Sequence, residues 1–213
     1  MDDIFESYSK LETLNVSRET FLDLEYFINM ILEKNKQINI FSRKTLENRD
    51  IRERHIIDSA QIIDFINLNS KNTTDIGTGG GMPGIVAAII IKNMKHTTKV
   101  NLYEKSHHKS SFLREVSRKL KLNTEVFQKN IFEVKKIETG TIMSRAFKPM
   151  PVVLDLIYKN FSSYSNLILF MGQNGKKILK ESLIDWDLEY TEKKSITNED
   201  SFLLNIKKIK KKN

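Results

Sequence analysis

Five of the eight glycines in this 213-residue chain fall between Gly77 and Gly84, in the stretch DIGTGGGMPG that begins at Asp75. Glycine reaches backbone angles that a Cβ forbids and lets a ligand approach the main chain, so such crowding marks a loop built for close contact. Pro83 suits the start of a helix, where an N–H is dispensable. The apolar run Ile85 to Ile91 then supplies the buried part of that helix, whose free N–H groups can hold a polar ligand. The feature reads as a nucleotide cradle.

The chain is long enough to bury its own core, and a single domain over 1–213 is the simplest expectation. With no cysteine, structural disulfides and thiolate metal sites are ruled out, and the four histidines form no metal cluster in sequence. No apolar stretch reaches the roughly 20 residues of a membrane span. The acidic opening, Asp2 and Asp3, is unlike a signal peptide, so a cytoplasmic, soluble protein is expected. The net charge of +8, gathered partly in Lys207, Lys208, Lys210, Lys211 and Lys212, favours a polyanionic partner without choosing DNA over RNA. A solvated lysine-rich tail explains the same charge. An anionic lipid surface fits less well, because the tail lacks a long amphipathic helix.

Apolar residues at helical spacing predict helices over 4–16 (Ile4, Tyr8, Leu11) and 18–35 (Phe21, Leu24, Phe27, Ile28, Ile31), the second capped by Ser17. A third is predicted from about Glu47 through Phe65, so residues 1–68 read as a helical extension. From Lys71 the pattern changes to short strands alternating with helices, the signature of βαβ units. Strands are predicted near 73–76, 98–103, 124–127, 140–144 and 166–171, and helices near 84–93, 108–121 and 150–162. Residues 187–196 and 201–209 read as an antiparallel pair at the edge of an otherwise parallel sheet. The expected class is therefore α/β and Rossmann-like, with a core over 69–213.

The glycines can be registered as GxGxxG from Gly79, a weak dinucleotide fingerprint on its own. Asp75 at the strand end serves a pyrophosphate poorly, but can hold a cationic group or support the loop. The Walker A pattern fails, since no Gly-Lys-Ser/Thr follows. The second strand ends in Glu104, where a ribose diol would lie and a carboxylate can accept from both hydroxyls; an exposed acid paired with Lys105 or Lys109 is the plainer reading. Asp75, Gly77, Gly79, Gly81 and Glu104 together fit S-adenosylmethionine better than NAD, because that cofactor carries a ribose and a charged amino-acid moiety but no phosphate. Met82 either lines the cradle or packs at the helix start. Ile131 and Phe132 sit at the usual level of an adenine ring, where core packing explains them equally well.

Arg145 follows the fourth strand, at the carboxyl end where open α/β sheets bind ligands. Its guanidinium can meet a phosphate, a guanine edge or a cofactor carboxylate, while Ser144 and Phe147 either orient it, floor a pocket or are structural. His55 either organises the extension against this face or is a hydrogen-bonded core residue. No Ser, His and Asp set suggests hydrolysis.

Together these residues resemble the bacterial 16S ribosomal RNA guanine-N7 methyltransferase family, RsmG or GidB. Arg54, His55, Asp58 and Ser59 look like its RHxxDS segment, Asp75 to Gly84 its DxGTGxGxPG loop, and Ser144 to Phe147 its SRAF segment. Glu104, Lys109 and Phe112 to Arg114 follow its second strand and helix. The resemblance implies a class I methyltransferase fold and methyl transfer from S-adenosylmethionine to N7 of one guanine in the decoding-region loop of small-subunit RNA. It places cofactor contacts at Gly77, Met82, the Ile131 and Phe132 backbone and Arg145, which would position rather than shuttle protons. The implied partner is 16S ribosomal RNA or the small subunit, met by a monomer. Three positions depart from the family. Asn130 replaces an arginine, Met171 replaces a lysine, and Thr139 and Gly140 stand where an acid is usual. Lys109, Lys129, Lys176 and Lys177 are the candidates for RNA contact. The rival readings are a nonenzymatic RNA-binding protein on the same fold, a methyltransferase of small molecules or proteins, and, more remotely, an NAD enzyme.

Overall fold

The computed structural model describes residues 6–14, 17–41 and 51–212. Two parts of the expected extension, Ile4 and the Glu47 start of the third helix, lie outside them. The extension begins with a 3-10 turn, Ser9–Leu14, and continues as helix α1 (Arg18–Asn35). Phe21, Leu24, Phe27, Ile28 and Ile31 recur every three or four residues and are all buried, so α1 presents one apolar stripe to the rest of the molecule. Glu25 fastens the segments to one another. Its carboxylate accepts from Tyr8 Oη at 2.8 Å and from Arg52 Nε and Nη2 at 2.6 and 3.0 Å. Burial, reinforced by the adjacent Glu25 charge, holds the Tyr8 phenol well above its usual range.

The third predicted helix is not a continuous α-helix. Arg52–Ile57 winds as a π-helix, Asp58–Ala60 as one α turn, and Ile63–Phe65 as a 3-10 turn. The five-residue step between the buried Ile51 and Ile56 matches the wider winding. A reading based on 3.6-residue periodicity smooths such a change away.

Strands and helices then alternate: β1 (Asn72–Ile76), α2 (Gly84–Asn93), β2 (Lys99–Tyr103), α3 (His107–Lys119), β3 (Thr124–Phe127), β4 (Ile137–Glu138), β5 (Thr141–Ser144), α4 (Met150–Asn160), β6 (Phe161–Ser163), β7 (Asn166–Met171), α5 (Gly175–Asp185), β8 (Trp186–Lys194) and β9 (Phe202–Lys211). Seven strands form one sheet in the order β3-β2-β1-β5-β7-β9-β8, and β4 pairs with β6 separately. All pairings within the large sheet are parallel except those of β9 with β7 and β8, which places the expected antiparallel pair at the edge. From β1 the chain moves outward to β2 and β3, then returns to β5 on the other side. Such a reversal opens a crevice at the carboxyl ends of β1 and β5.

Each face of the sheet carries its own core. Val100, Leu102, Met143, Ile168 and Leu203 pack with α1, α2, α3 and the π-helical segment. Their neighbours Tyr103, Ile142, Leu167, Leu169 and Leu204 point the other way, toward α4, α5 and Trp186. This is the two-residue period of a pleated strand buried on both faces. Helix α2 is buried at every position from Gly84 to Ile91, because α1 covers the side that the sheet leaves open. Lys92 and Asn93 at its end reach Asp23 of α1 at 2.9 and 3.1 Å. No helix among the described residues is long and apolar enough to cross a membrane.

Helix α5 had no counterpart in the sequence reading. It buries only Gly175, Leu179 and Ser182, too narrow an apolar face to stand out among Lys176, Lys177 and Lys180. The basic run from Lys207 lies past the β7–β9 pairing, which ends at Leu167 opposite Ile206. It therefore projects from the end of the sheet away from the glycine loop.

Candidate active site

The glycine loop leaves β1 in left-handed turns, with φ of +70° at Gly77, +58° at Gly79 and +100° at Gly81. At Gly77 a Cβ would run into the Phe147 ring, so glycine is required there twice over. At Gly80 it would come within 2.6 Å of Phe41 Cε2 and 2.8 Å of Ile40 Cγ2, which shows how closely the extension covers the back of the loop.

Asp75 lies fully buried beneath this loop, where its Oδ2 accepts from the Gly84 N–H at 2.8 Å. It thus satisfies one of the free donors at the start of α2. Burial pushes its pKa up to about 7, against the opposing pull of Thr78, the Gly84 N–H and Arg145. Gly84 closes on the same group: an added Cβ would stand 2.7 Å from Asp75 Oδ2 and against the Leu102 side chain. Gly84→Ala is expected to cost about 2 kcal/mol by overpacking, read as a fall of about 5 °C in Tm by calorimetry. An unchanged Tm would contradict this packing.

Beyond the loop, Glu104 is a second anchor. Its Oε2 accepts from Gly79 N at 3.0 Å and its Oε1 from Ser106 N at 2.7 Å, which joins the glycine loop to the start of α3. The opposite wall is the 3-10 turn Ile131–Glu133, whose carbonyls at Ile131 and Phe132, with that of Val134, lie 2.7 to 3.3 Å from Asn160 Nδ2. Asn130 caps this turn by accepting from Phe132 N at 3.3 Å. Phe132 stacks on Phe147 at 5.9 Å between centroids. These groups enclose a cleft of about 510 Å³ lined by Gly77, Gly79, Glu104, Ile131, Phe132 and Phe147 and rimmed by Lys105, Lys109, Lys129 and Lys148.

The structure therefore brings Gly77, Gly79, Glu104, Ile131 and Phe132 together around one cavity. Asp75, Gly81 and Met82 lie behind the lining. Met82 is 4% exposed and packs in the core beside the extension, and Gly81 backs onto Ile85 and Leu113.

Arg145 faces elsewhere. After β5 the chain turns at Ala146, a non-glycine residue with φ of +49°, and sends Phe147 to the cleft and Arg145 to a second basin of about 620 Å³. Ala146 lines both cavities. In the basin Arg145 Nε donates to Asp58 Oδ2 at 3.1 Å, Nη1 lies 3.0 Å from His55 Nδ1, Nη2 donates to the Arg54 carbonyl at 2.5 Å, and the guanidinium stands 5.6 Å over the Phe170 ring. Asp58 Oδ1 meanwhile accepts from Gln61 at 2.7 Å, from Thr197 Oγ1 at 2.9 Å and from Ser195 Oγ at 3.3 Å. One carboxylate thus joins the extension, the segment after β5 and the β8–β9 connection. The sequence reading included Asp58 in a motif without a role, and missed Gln61, Ser195 and Thr197. Nothing local signals that residues 137 and 139 positions apart will meet.

Of the remaining candidates, Lys109 and Lys129 border the cleft. Lys176 pairs with Glu192 and lies 4.6 Å over the Phe202 ring, and Lys177 reaches Glu181 at 4.0 Å. Met171 is 6% exposed and supplies apolar packing. Among the described residues no group of three or more His, Asp or Glu could hold a metal ion.

A family model described as GidB, rRNA small subunit methyltransferase G, matches residues 21–203. The chain is 64% identical to a Pelagibacter ubique protein named ribosomal RNA small subunit methyltransferase G, with both chains covered in full. Among solved structures, a SAM-dependent methyltransferase from Aquifex aeolicus is similar with a TM-score of 0.55 at 14% identity, covering 76% of this chain and 95% of that one. M. capricolum TrmK in complex with S-adenosyl-homocysteine gives a TM-score of 0.53 at 17% identity, covering 70% and 67%. These two likenesses establish the mostly parallel, Rossmann-like methyltransferase fold.

Proposed function

The chain belongs to the rRNA small subunit methyltransferase G family, GidB, and from that premise we propose that it transfers the methyl group of S-adenosylmethionine to N7 of a guanine in the decoding-region loop of 16S ribosomal RNA. The observation that carries the proposal is the pair of cavities meeting at Ala146, one suited to the cofactor and the other open to an acceptor. The residues present fit that cofactor. Gly77 and Gly79 let it approach the backbone, the Glu104 carboxylate keeps acceptor capacity for a ribose diol, and Phe132 offers an apolar surface to a base. Asp75, Gly81 and Met82 serve the same site from behind, by holding the loop in shape.

When bound, S-adenosylmethionine supplies an electrophilic methyl group on its sulfonium sulfur. Guanine N7 carries a lone pair and no proton, so the protein needs no general base. Its task is to hold acceptor and donor in line at the Ala146 ridge. Lys109 and Lys129 are assigned to RNA phosphates at the rim of the cleft, and Lys176 and Lys177 to phosphates farther out on α5. We place this activity in the cytoplasm, and read the protein as one folded unit, extension and core together, that meets its substrate as a monomer.

Base-resolved mapping of N7 methylation in small-subunit RNA, with and without the protein, tests the reading. One new N7-methylguanine in the decoding-region loop is expected. Binding of the RNA without any transfer would favour a nonenzymatic RNA-binding protein instead, and methylation at another atom would defeat the N7 assignment.

A further inference from the structure

Lys207, Lys208, Lys210 and Lys211 are exposed at the far end of the β8–β9 ribbon, and the ribbon holds them in place. Strands β8 and β9 stay paired from Lys194 opposite Phe202 down to Trp186 opposite Lys211. Past the last pair, Lys212 N donates to the Asp185 carbonyl at 2.9 Å and Lys212 Nζ to the Leu183 carbonyl at 2.7 Å. Cations on a hydrogen-bonded strand surrender less freedom on binding than cations on a loose tail. The pairing skips Lys207, since Tyr190 stands opposite Ile206 and Glu189 opposite Lys208, so Lys207 is the extra residue of a β-bulge with nothing across from it. Lys211 lies 5.7 Å over the Trp186 ring, and Tyr158, 54% exposed, meets the same ring edge-on with centroids 5.7 Å apart. Asp187 and Glu189 stand opposite Lys210 and Lys208, yet among the described residues none of the four ribbon lysines forms an ion pair. Lys176, Lys177 and Lys193 on neighbouring stretches each do.

We infer that this end of the ribbon is a second contact surface for RNA, in which the four lysines grip backbone phosphates and Tyr158 lies against a sugar or an unpaired base. The inference rests on the ribosomal RNA substrate proposed above. Phe202, at the other end of β9, lines the basin beside Asp58. Strand β9 is ten residues long, which at about 3.4 Å per residue puts Lys211 about 30 Å from Phe202. That separation corresponds to about nine base pairs along a duplex. A ligand that reaches from the cavities to the ribbon end is therefore a long, structured polyanion, and a short fragment or a small molecule meets only the cavities. Lysine is a strongly hydrated point charge that contacts phosphate without reading bases, so this surface adds affinity and orientation and leaves the choice of nucleotide to the site. An extended ribbon with no amphipathic helix suits RNA better than an anionic lipid surface.

The test compares the full-length protein with a ribbon variant carrying Lys207→Gln, Lys208→Gln and Lys211→Gln, and with a control carrying Lys36→Gln, Lys99→Gln and Lys119→Gln. The control loses the same charge from exposed sites on other elements. Two RNAs are used: intact small-subunit RNA, and a hairpin with the decoding-region loop on a stem of about four base pairs, too short to span the separation. On intact RNA the ribbon variant should bind at least tenfold more weakly by filter binding, with kcat within twofold. Its slope of log K against log salt should fall by about 2–3, since each duplex phosphate contact contributes about 0.9. Its affinity for the hairpin and for S-adenosylmethionine should stay within twofold, as should the control's affinity for both RNAs. Should the ribbon variant misfold, Lys207→Glu alone, a change at the bulge with no ion pair to lose, should weaken intact-RNA binding by threefold or more and spare the hairpin. Intact-RNA affinity that holds within twofold, equal losses in ribbon and control variants, or equal losses on the two RNAs each overturn the inference. So does binding to phosphatidylserine vesicles that the ribbon variant loses while its RNA affinity holds, which assigns these cations to lipid. All of these outcomes leave the methyl-transfer reading standing. Ribbon-dependent binding of intact RNA with no methyl transfer supports the inference and defeats that reading alone.

Discussion

Replacing Asp75 with asparagine should make the protein more stable at pH 8 and should remove a pH dependence that the unaltered chain shows. The Asp75 carboxyl is fully buried, and its pKa rises from an ordinary 3.8 to about 7 on folding, chiefly by desolvation. A folded-state pKa above the unfolded value means that the folded protein binds the proton more tightly. The stabilising contribution is therefore complete below about pH 4, shrinks as pH rises, and is lost above about pH 7. Between pH 5 and pH 8 the loss amounts to about 2–3 kcal/mol. An asparagine side chain cannot ionise, and its amide oxygen can still accept from Gly84 N, so Asp75→Asn should be close to neutral at pH 5 and stabilising by about that amount at pH 8. Urea unfolding of both proteins at the two pH values measures the difference directly. A variant that is equally destabilised at both would mean that the carboxylate is stabilised in the fold, contrary to its burial.

The second large effect is expected at Glu104. Glu104→Ala removes the acceptor for the Gly79 and Ser106 N–H groups, together with the one proposed above for the cofactor ribose. Hydrogen bonds to a charged group are worth about 1.5–3 kcal/mol each, so the loss of a diol contact alone should weaken S-adenosylmethionine binding by about 100-fold or more. The loop should also loosen, because Glu104 is what joins Gly79 to the start of α3. Glu104→Gln keeps one acceptor oxygen and should fall between, at about tenfold. Titration calorimetry with S-adenosylmethionine provides the readout, and NAD serves as the ligand that should not bind. Affinity within threefold of the unaltered protein in Glu104→Ala would remove Glu104 from the cofactor site.

How legible the fold was in the sequence depended on how local the causes were. Strands β1, β2, β3, β5 and β7 and helices α1 and α2 fell where apolar periodicity and the glycines placed them, and all of these except the half-exposed outer strand β3 bury a wide face. Helix α5 escaped, since only Leu179 and Ser182 join its glycine in burial. The π-helical winding of Arg52–Ile57 escaped as well, because its spacing is set by what it packs against. At the site the division is the same. Glu104 and the glycines were legible as one cradle, for a carboxylate at the end of the second strand has a geometric reason to be there. Asp75 was legible as important but not as buried, and its position beneath the loop follows from the closeness of Gly84.

The sequence by itself determined the alternating βαβ order, the left-handed loop that only glycine can form, and the membership of a family that methylates small-subunit RNA, since each is written in residues that lie close together along the chain. Only the tertiary structure decided which cavity each group lines. Arg145 and Phe147 are two residues apart, yet the turn between them puts one on the basin beside Asp58 and the other on the cleft beside the glycine loop. Asp58 reaches 87 residues forward to the first, and the β8–β9 connection reaches back to Asp58. Contacts at such separations are set by how the sheet brings its carboxyl ends together, and no local pattern in the chain encodes them.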